Sequence, residues 1–349
     1  MSYNILILGA SYGSLLGTKL LAAGHDVTLV CRSETAALIN DKGTEVRIKL
    51  RGEDAHRSIL SGSLPGKLDA QTPEQVRPQA YDLVCLAMQE PQYTHPTLRN
   101  LLARIAAARV PCISIMNMPP LPYLRRIPAL RDANLDAAFT DPDVWAGFDP
   151  ALMTLCSPDP QAFRPPEEGA NVLHVGLPTN FKVSRFRDVK LDAMLDELED
   201  GIAAWLLDGQ DVPVKLRVFD SPFVPFAKWA MLAAGNYRCI TMGDPQSIRD
   251  AVHGDLAASE AIYDYVNALV VHMGADAADM VPFDKYASAA KSLLKPSSAA
   301  RAIAEGAVEI ERVDRLIAIA GETVGMGNPA ISEIVRVVDA KLAENRDRR

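Results

Sequence analysis

The chain has 349 residues, 48% of them hydrophobic and 23% charged, with a net charge of −8. That balance suits a soluble protein of two domains, and with no basic stripe and no block of five like charges it excludes a nucleic-acid binder. No run approaches the ~18 apolar residues that span a bilayer, and the N-terminus lacks a signal-peptide pattern, so the cytoplasm is the expected compartment. The five cysteines (Cys31, Cys85, Cys112, Cys156, Cys239) and six histidines (His25, His56, His95, His174, His253, His272) are scattered. Neither a disulfide scaffold nor a metal site is expected from such spacing.

The first third alternates strand and helix signals. "YNILILGA" reads as a short buried strand ending in glycine, and "SLLGTKLLAAG" as a helix stopped by Gly24. "DVTLVCR", "YDLVCLAM" and "PCISIMN" read as further buried strands, short and apolar between turn residues. Strands separated by helices predict a parallel sheet. Residues 119–166 hold ten of the 24 prolines, a density that breaks both ladders and helices, so a long irregular excursion is expected there. It leaves two roles open, a lid over the active site or a contact between subunits. The sheet pattern resumes with "ANVLHVGLP", a helix "VKLDAMLDELEDGIAAWLLDG" and a strand "VPVKLRVF". From about Ser221 only long helices follow, including "SPFVPFAKWAMLAAGN" and "SSAARAIAEGAVEIERVDRLIAIAG". The predicted fold class is therefore α/β: a Rossmann-like doubly wound parallel sheet over residues 1–219, then an all-helical domain over 220–349.

The stretch "GASYGSLLG" (residues 9–17) lies between the first strand and the first helix. A strand, a glycine turn and a helix N-terminus bring unpaired backbone N–H groups and the helix dipole to one point, which suits a pyrophosphate. The dinucleotide fingerprint is G-x-G-x-x-G; here Ser11 stands in the second-glycine position, and the spacing to Gly13 is one residue short. Gly9-x-Ser11-x-Gly13 also spells a hydrolase nucleophile elbow. That reading needs an earlier strand to supply an oxyanion loop, and Ser11 follows the very first one. Gly9, Ser11, Tyr12 and Gly13 are therefore read as cofactor-binding. The next strand ends in Cys31 and Arg32, where NAD binders place an acidic residue for the ribose 2′-hydroxyl. An arginine there pairs with a 2′-phosphate, so NADP(H) is the expected cofactor.

Lys228 sits among apolar residues in "FVPFAKWAMLAAGN". A buried ammonium must pair, snorkel or lower its pKa. Leu232 and Asn236, four and eight residues on, fall on roughly its face of a helix. Glu309 is the distant carboxylate best suited to it: on one continuous helix it shares a face with Ser298, Ala302, Val313 and Leu316, which predicts partial burial.

Taken in order, these segments resemble the ketopantoate reductase (2-dehydropantoate 2-reductase) family over most of the chain. The resemblance implies NADPH-dependent reduction of a 2-oxo acid to a 2-hydroxy acid, with a small-molecule substrate, no metal, and a cytoplasmic homodimer serving pantothenate biosynthesis. It makes Lys228 the catalytic lysine and Asn236 the second asparagine of its helix. "PSSAARAIAEGAVEIE" gives Ser298 (or Ser297) for the substrate and Glu309 as the catalytic carboxylate. "SIMNM" places Asn117 beside the nicotinamide and substrate, and Gln92 matches the pattern after the third apolar strand. The chain departs from the family at Leu232, where the first asparagine of the lysine helix belongs. It departs also at Gln89 for a lysine, at Met118 for a glycine, and in the length of the proline-rich segment. These departures bear on the substrate more than on the chemistry. An opine-like, imine-reducing dehydrogenase and a non-catalytic NADP-sensing protein are the alternatives.

Overall fold

Four apolar side chains in a row, residues 5–8, suit a strand covered on both faces, and they form the buried centre of β1 (Asn4–Leu8). The computed structural model describes residues 2–348. They divide into a first unit of Met1–Met88, Gln92–Tyr123 and Val144–Asp220, and a second of Gln89–Pro91, Leu124–Asp143 and Ser221–Arg349.

In the first unit β1 is followed by β2 (Asp26–Val30), β3 (Glu45–Ile48), β4 (Arg57–Leu60), β5 (Leu68–Gln71), β6 (Leu83–Leu86) and β7 (Cys112–Ile115). Then come β8 (Met153–Ser157), β9 (Gln161–Phe163), β10 (Val172–Leu177), β11 (Phe181–Ser184), a two-residue hairpin of β12 (Leu206–Leu207) and β13 (Gln210–Asp211), and β14 (Leu216–Phe219). Helices α1 (Gly13–Ala22), α2 (Ser33–Lys42), α3 (Pro96–Ala108) and a single turn α4 (Leu121–Leu124) connect the earlier strands, and α5 (Val189–Ala204) precedes the hairpin.

The main sheet has eight strands in the order β14-β11-β8-β7-β6-β1-β2-β5. The chain starts at β1, runs outward through β2 and β5, and returns to fill the other side from β6. The reversal point is thus the C-terminal end of β1, the place where open α/β sheets bind ligands. β1 pairs in parallel with both β2 and β6. The sheet is parallel as expected except at one pairing, where β11 runs antiparallel to β8, and β14 follows β11 in parallel.

Two further expectations change. The irregular excursion over 119–166 contains β8, a fully buried strand of the main sheet, and β9. Pro150 and Pro158 flank β8 without entering its ladder, which is where strands tolerate proline; a density count smooths over that distinction. The strand in "ANVLHVGLP", β10, does not rejoin the main sheet. It pairs with β3 and β9 in a separate four-stranded sheet, β4-β3-β10-β9, whose inner residues Val46, Ile48, Ile59, Leu173 and Val175 belong to the same core as the main sheet.

The second unit contains α6 (Ala227–Met231), α7 (Ile248–His253), α8 (Leu256–His272), α9 (Phe283–Ala290), α10 (Ser298–Ala304), α11 (Val313–Thr323) and α12 (Pro329–Asp347). No helix among the described residues is long and apolar enough to cross a membrane. The single helix expected through "SSAARAIAEGAVEIERVDRLIAIAG" is corrected to two. Gly306 takes a left-handed φ of 93°, while Gly306 N–H donates to Ile303 O and Ala307 N–H to Ala302 O. This is the paired bonding of a glycine-terminated helix end, and an extended link follows it.

That link is anchored at its far end by a buried ion network. Arg312 reaches Asp314 at 2.8 Å and Asp339 at 2.6 Å, and the Asp314 side chain has no solvent exposure. Removing one member of a buried pair strands the other's charge, at about 3–5 kcal/mol. Asp314→Ala leaves Arg312 its bond to Asp339, so it is expected to lower unfolding stability by less, about 2–3 kcal/mol by urea titration, whereas Glu333→Ala, which breaks an exposed pair with Arg336, is expected to change it by under about 1 kcal/mol.

Candidate functional site

In the first unit, β1 ends in a turn that only glycine fits. Gly9 has φ of +105°, and a Cβ there would stand 2.6 Å from Met88 Cγ and 2.8 Å from Ala87 O. Gly13 lets α1 settle on β1, since its Cβ would meet Ile7 Cγ2 at 2.6 Å. These are the tight-turn and close-packing roles that the dinucleotide fingerprint assigns to its glycines, kept despite the missing residue. The backbone N–H groups of Ser11, Tyr12 and Gly13 donate to no other group among the described residues. Unpaired donors at a helix N-terminus favour an anion.

The side chains around the turn differ in burial and in what they bond. Tyr12 donates its hydroxyl to Pro160 O at 2.8 Å and sets its ring edge-on to Phe181; burial raises its phenol pKa. Ala10 O accepts bonds from the Ser14 hydroxyl and from Arg164 Nη2, the latter at 2.8 Å. Ser11 is exposed. Arg32, two residues beyond β2, is exposed and precedes α2 in extended backbone. Beside it the half-buried Cys31 thiol is pushed up to about 11 by burial, partly offset by the charges of Arg164 and Arg32. Asn117, just past β7, is half-buried, and Gln92 is exposed.

In the second unit Lys228 lies on α6 and is half-buried. The most buried lysines are elsewhere, at Lys19 and Lys215. Burial first, then the Lys215 charge, lowers Lys19 to about 7 against an opposing pull from Asp211. Lys19 donates to Pro213 O at 2.5 Å, so a structural bond accounts for it.

After α6 the chain makes a π turn over Leu232–Asn236. Such turns arise where a side chain intrudes on the helical ladder, and they recur at functional sites. Here the intruder is Tyr286, which donates to Met231 O at 3.1 Å. A Cβ on Gly235 would lie 1.9 Å from the Tyr286 hydroxyl. Asn236 is half-buried and Leu232 buried. Asn236 O accepts the Ser297 hydroxyl at 2.7 Å, and Ser297 Oγ in turn caps α10 by accepting Ala300 N–H. Ser297 is buried in that role, while Ser298 is exposed on the first turn of α10.

Tyr237, next in the chain, holds the link that carries the acids. It accepts Val313 N–H at 3.0 Å and donates to Glu311 O. Because the helix stops at Gly306, Glu309 shares no helical face with Ser298 and is exposed rather than half-buried, a correction to the face argument. The buried acid is Glu311, whose carboxylate accepts Glu90 N–H at 3.4 Å. Glu90 is buried as well, and it accepts Thr140 N–H at 3.1 Å and Thr140 Oγ1–H at 2.9 Å. Desolvation raises Glu90 to about 7; the Thr140 bonds oppose this, and the charges of Glu311 and Glu309 add to it. Glu90, Glu311 and Arg164 escape sequence reasoning. Glu90 follows a strand end and precedes a proline, which signals a turn, and nothing marks the other two.

Residues 5–116 match the family model for ketopantoate reductase, PanE/ApbA, and no curated protein matches the chain in sequence. A candidate ketopantoate reductase from Ralstonia solanacearum MolK2 superposes with a TM-score of 0.71 at 14% identity, covering 99% of both chains. The 2-dehydropantoate 2-reductase of Methylococcus capsulatus gives 0.67 at 16% identity over 98% of this chain and 97% of that one. A D-mandelate dehydrogenase in complex with NADH and anilino(oxo)acetate gives 0.64 at 15% identity over 98% and 99%.

Folding takes up a proton on Glu90 between its ordinary 4.5 and about 7, so stability falls as pH rises through that window. Glu90→Gln is expected to flatten this fall, seen as a smaller drop in urea midpoint between about pH 5 and about pH 8 than in wild type. An unchanged slope would place the titration elsewhere. The first third of the chain thus resembles ketopantoate reductases in sequence, and the whole chain shares their fold.

Proposed function

We propose that the protein is an NADPH-dependent reductase of a 2-oxo acid. The observation that carries this reading is the glycine turn: three N–H donors without a partner among the described residues at the N-terminus of α1, at the reversal point of the sheet, with Arg32 past the adjacent strand end. These residues fit a dinucleotide. Gly9, Ser11, Tyr12 and Gly13 would hold its pyrophosphate through the backbone, Arg32 its 2′-phosphate, and Asn117 and Gln92 its nicotinamide end. When bound, NADPH supplies the hydride that the carbonyl carbon accepts.

The protein's own part is to manage charge. As hydride arrives, negative charge grows on the carbonyl oxygen. An ammonium aimed at that oxygen stabilises it and can deliver the proton, the role assigned to Lys228. Glu309, exposed and so free to meet a ligand, would orient the ammonium and hydrogen-bond the substrate. Ser298, exposed while Ser297 is engaged, would receive the substrate carboxylate, and Asn236 would support lysine or substrate. Leu232 replaces an amide with an apolar side chain on the lysine helix, so 2-oxo acids with apolar substituents are proposed to outrank ketopantoate.

The test is NADPH oxidation over a panel of 2-oxo acids, ketopantoate included, with amines added in parallel. Turnover without an amine is expected. A strict amine requirement would favour imine reduction, and tight NADPH binding without any turnover would favour a sensor. Lys228→Ala is expected to lower kcat by about 10²–10⁴-fold with NADPH affinity nearly unchanged; equal loss of both would mark a structural lysine. Glu309→Gln is expected to cut kcat/KM more than Glu311→Gln does, and the reverse ranking would transfer the catalytic role to the buried acid.

A further inference from the structure

We propose that Arg164 is the second arm of a two-arginine grip on the 2′-phosphate of NADPH, supplied by the small sheet and closing on Arg32. This rests on the NADPH reading above. Arg164 directly follows β9, the edge strand that pairs with β10, and its guanidinium turns onto the glycine turn, where Nη2 donates to Ala10 O. The same segment touches the turn a second time, through the Tyr12 hydroxyl on Pro160 O. Two bonds four residues apart fix where Arg164 stands.

Several other half-buried arginines of this chain either pair with acids or commit two or more bonds to carbonyls or a hydroxyl, as Arg104, Arg125 and Arg238 do. Arg47 pairs with Glu45 and Glu168, Arg185 with Asp196 and Asp220, and Arg217 with Glu199. Arg164 is half-buried and has no carboxylate partner among the described residues. Burial disfavours its cationic form most; a charge on Cys31 would favour it, and the Arg32 charge disfavours it. A guanidinium has five N–H donors, and a single one is committed here, to a neutral carbonyl. Two neighbouring cations without a counter-charge are mutually repelled until an anion sits between them.

The location selects the anion. Ala10 follows β1 and Cys31 follows β2, and these strands lie side by side in register, Leu8 opposite Val30. In this fold that corner reads the adenosine ribose, with an acid for a free 2′-hydroxyl and a cation for a phosphate. A phosphate dianion suits bidentate guanidinium donors. A neutral 2′-hydroxyl can accept a guanidinium N–H but carries no charge to offset two cations.

The test measures binding, not turnover. NADPH, NADH, adenosine 2′-monophosphate and adenosine 5′-monophosphate are titrated calorimetrically into wild type, Arg164→Met, Arg164→Lys and Arg32→Ala. Arg164→Met is expected to weaken NADPH and adenosine 2′-monophosphate by about tenfold or more, and NADH and adenosine 5′-monophosphate by less than about threefold. Arg164→Lys, which keeps the charge, is expected to retain more NADPH affinity than the methionine variant. Equal weakening of NADPH and NADH would reduce Arg164 to a brace for the turn or a pyrophosphate contact and overturn the grip. So would a lysine variant no better than the methionine one. If Arg32→Ala loses the NADPH preference while Arg164→Met keeps it, the cofactor reading stands and this inference falls. A wild type that binds NADH as tightly as NADPH overturns the cofactor reading, and the grip with it.

Discussion

A chain that turns at Gly9 with φ of +105° cannot return the following amides to its own sheet. This leaves N–H groups with nothing to bond, which is costly unless water or a ligand takes them. The first unit is built to tolerate that arrangement. Close contact with Ala87 and Met88 forbids any side chain at Gly9, and contact with Ile7 forbids one at Gly13. Ala10 O is held from two directions and the Tyr12 hydroxyl is spent on Pro160. Rigidity falls on the carbonyls and side chains, so the free donors keep their direction. A loop one residue shorter than the fingerprint loses slack and compensates with ties from a second sheet.

The second unit solves a related problem, holding polar groups at fixed places on a nearly apolar helix. The π turn after α6 is stabilised from outside by the Tyr286 hydroxyl. It leads directly to two residues that organise the acids: Asn236, whose carbonyl receives Ser297, and Tyr237, whose hydroxyl holds Glu311 and Val313. The lysine helix therefore serves as the template on which the serine and glutamate segments are placed. A substitution at Gly235 or Tyr286 would reach Lys228 through the backbone, although neither has a catalytic role here.

The legible parts of this fold are those where local chemistry and tertiary structure agree. Buried parallel strands declare themselves as short apolar runs, and β1, β2, β6 and β7 all do so. Gly24 ends α1 where a helix wheel runs out, with φ of +88°. β8 is hidden because its neighbours are proline-rich, although no proline lies inside it. The break at Gly306 is hidden for the opposite reason: "SSAARAIAEGAVEIERVD" has good helical propensity on both sides, and one glycine outweighs it only because its φ is positive. Carrying the wheel through Gly306 half-buries Glu309 and ignores Glu311, and the structure reverses that order. Arg164 has no local signature, since its meaning comes from the strand pairing that brings β9 towards the start of the chain.

The proline-rich segment shows why local reading stops short of role. Leu130, Leu135 and Ala138 are buried to within 1% exposure, Arg315 donates to Ala137 O, and Thr140 grips Glu90 through both its N–H and its hydroxyl. A freely moving lid would be poor in buried apolar contacts and internal bonds, and this stretch has both. Its stretch before β8 forms no ladder, so its backbone groups are satisfied by side chains: Arg125 on Leu130 O, Arg131 O and Ala133 O, Arg315 on Ala137 O, and Glu90 on Thr140 N–H. That arrangement costs something at Glu90, where burial and two nearby carboxylates raise the pKa to about 7. The same group also orders the chain, because it joins residues 89–91, the segment at Thr140 and Glu311 within one unit. Protonation weakens the Thr140 bonds that favour the carboxylate but relieves burial and the repulsion from Glu311 and Glu309, and the second effect is the larger, so this corner is more stable as pH falls through about 7.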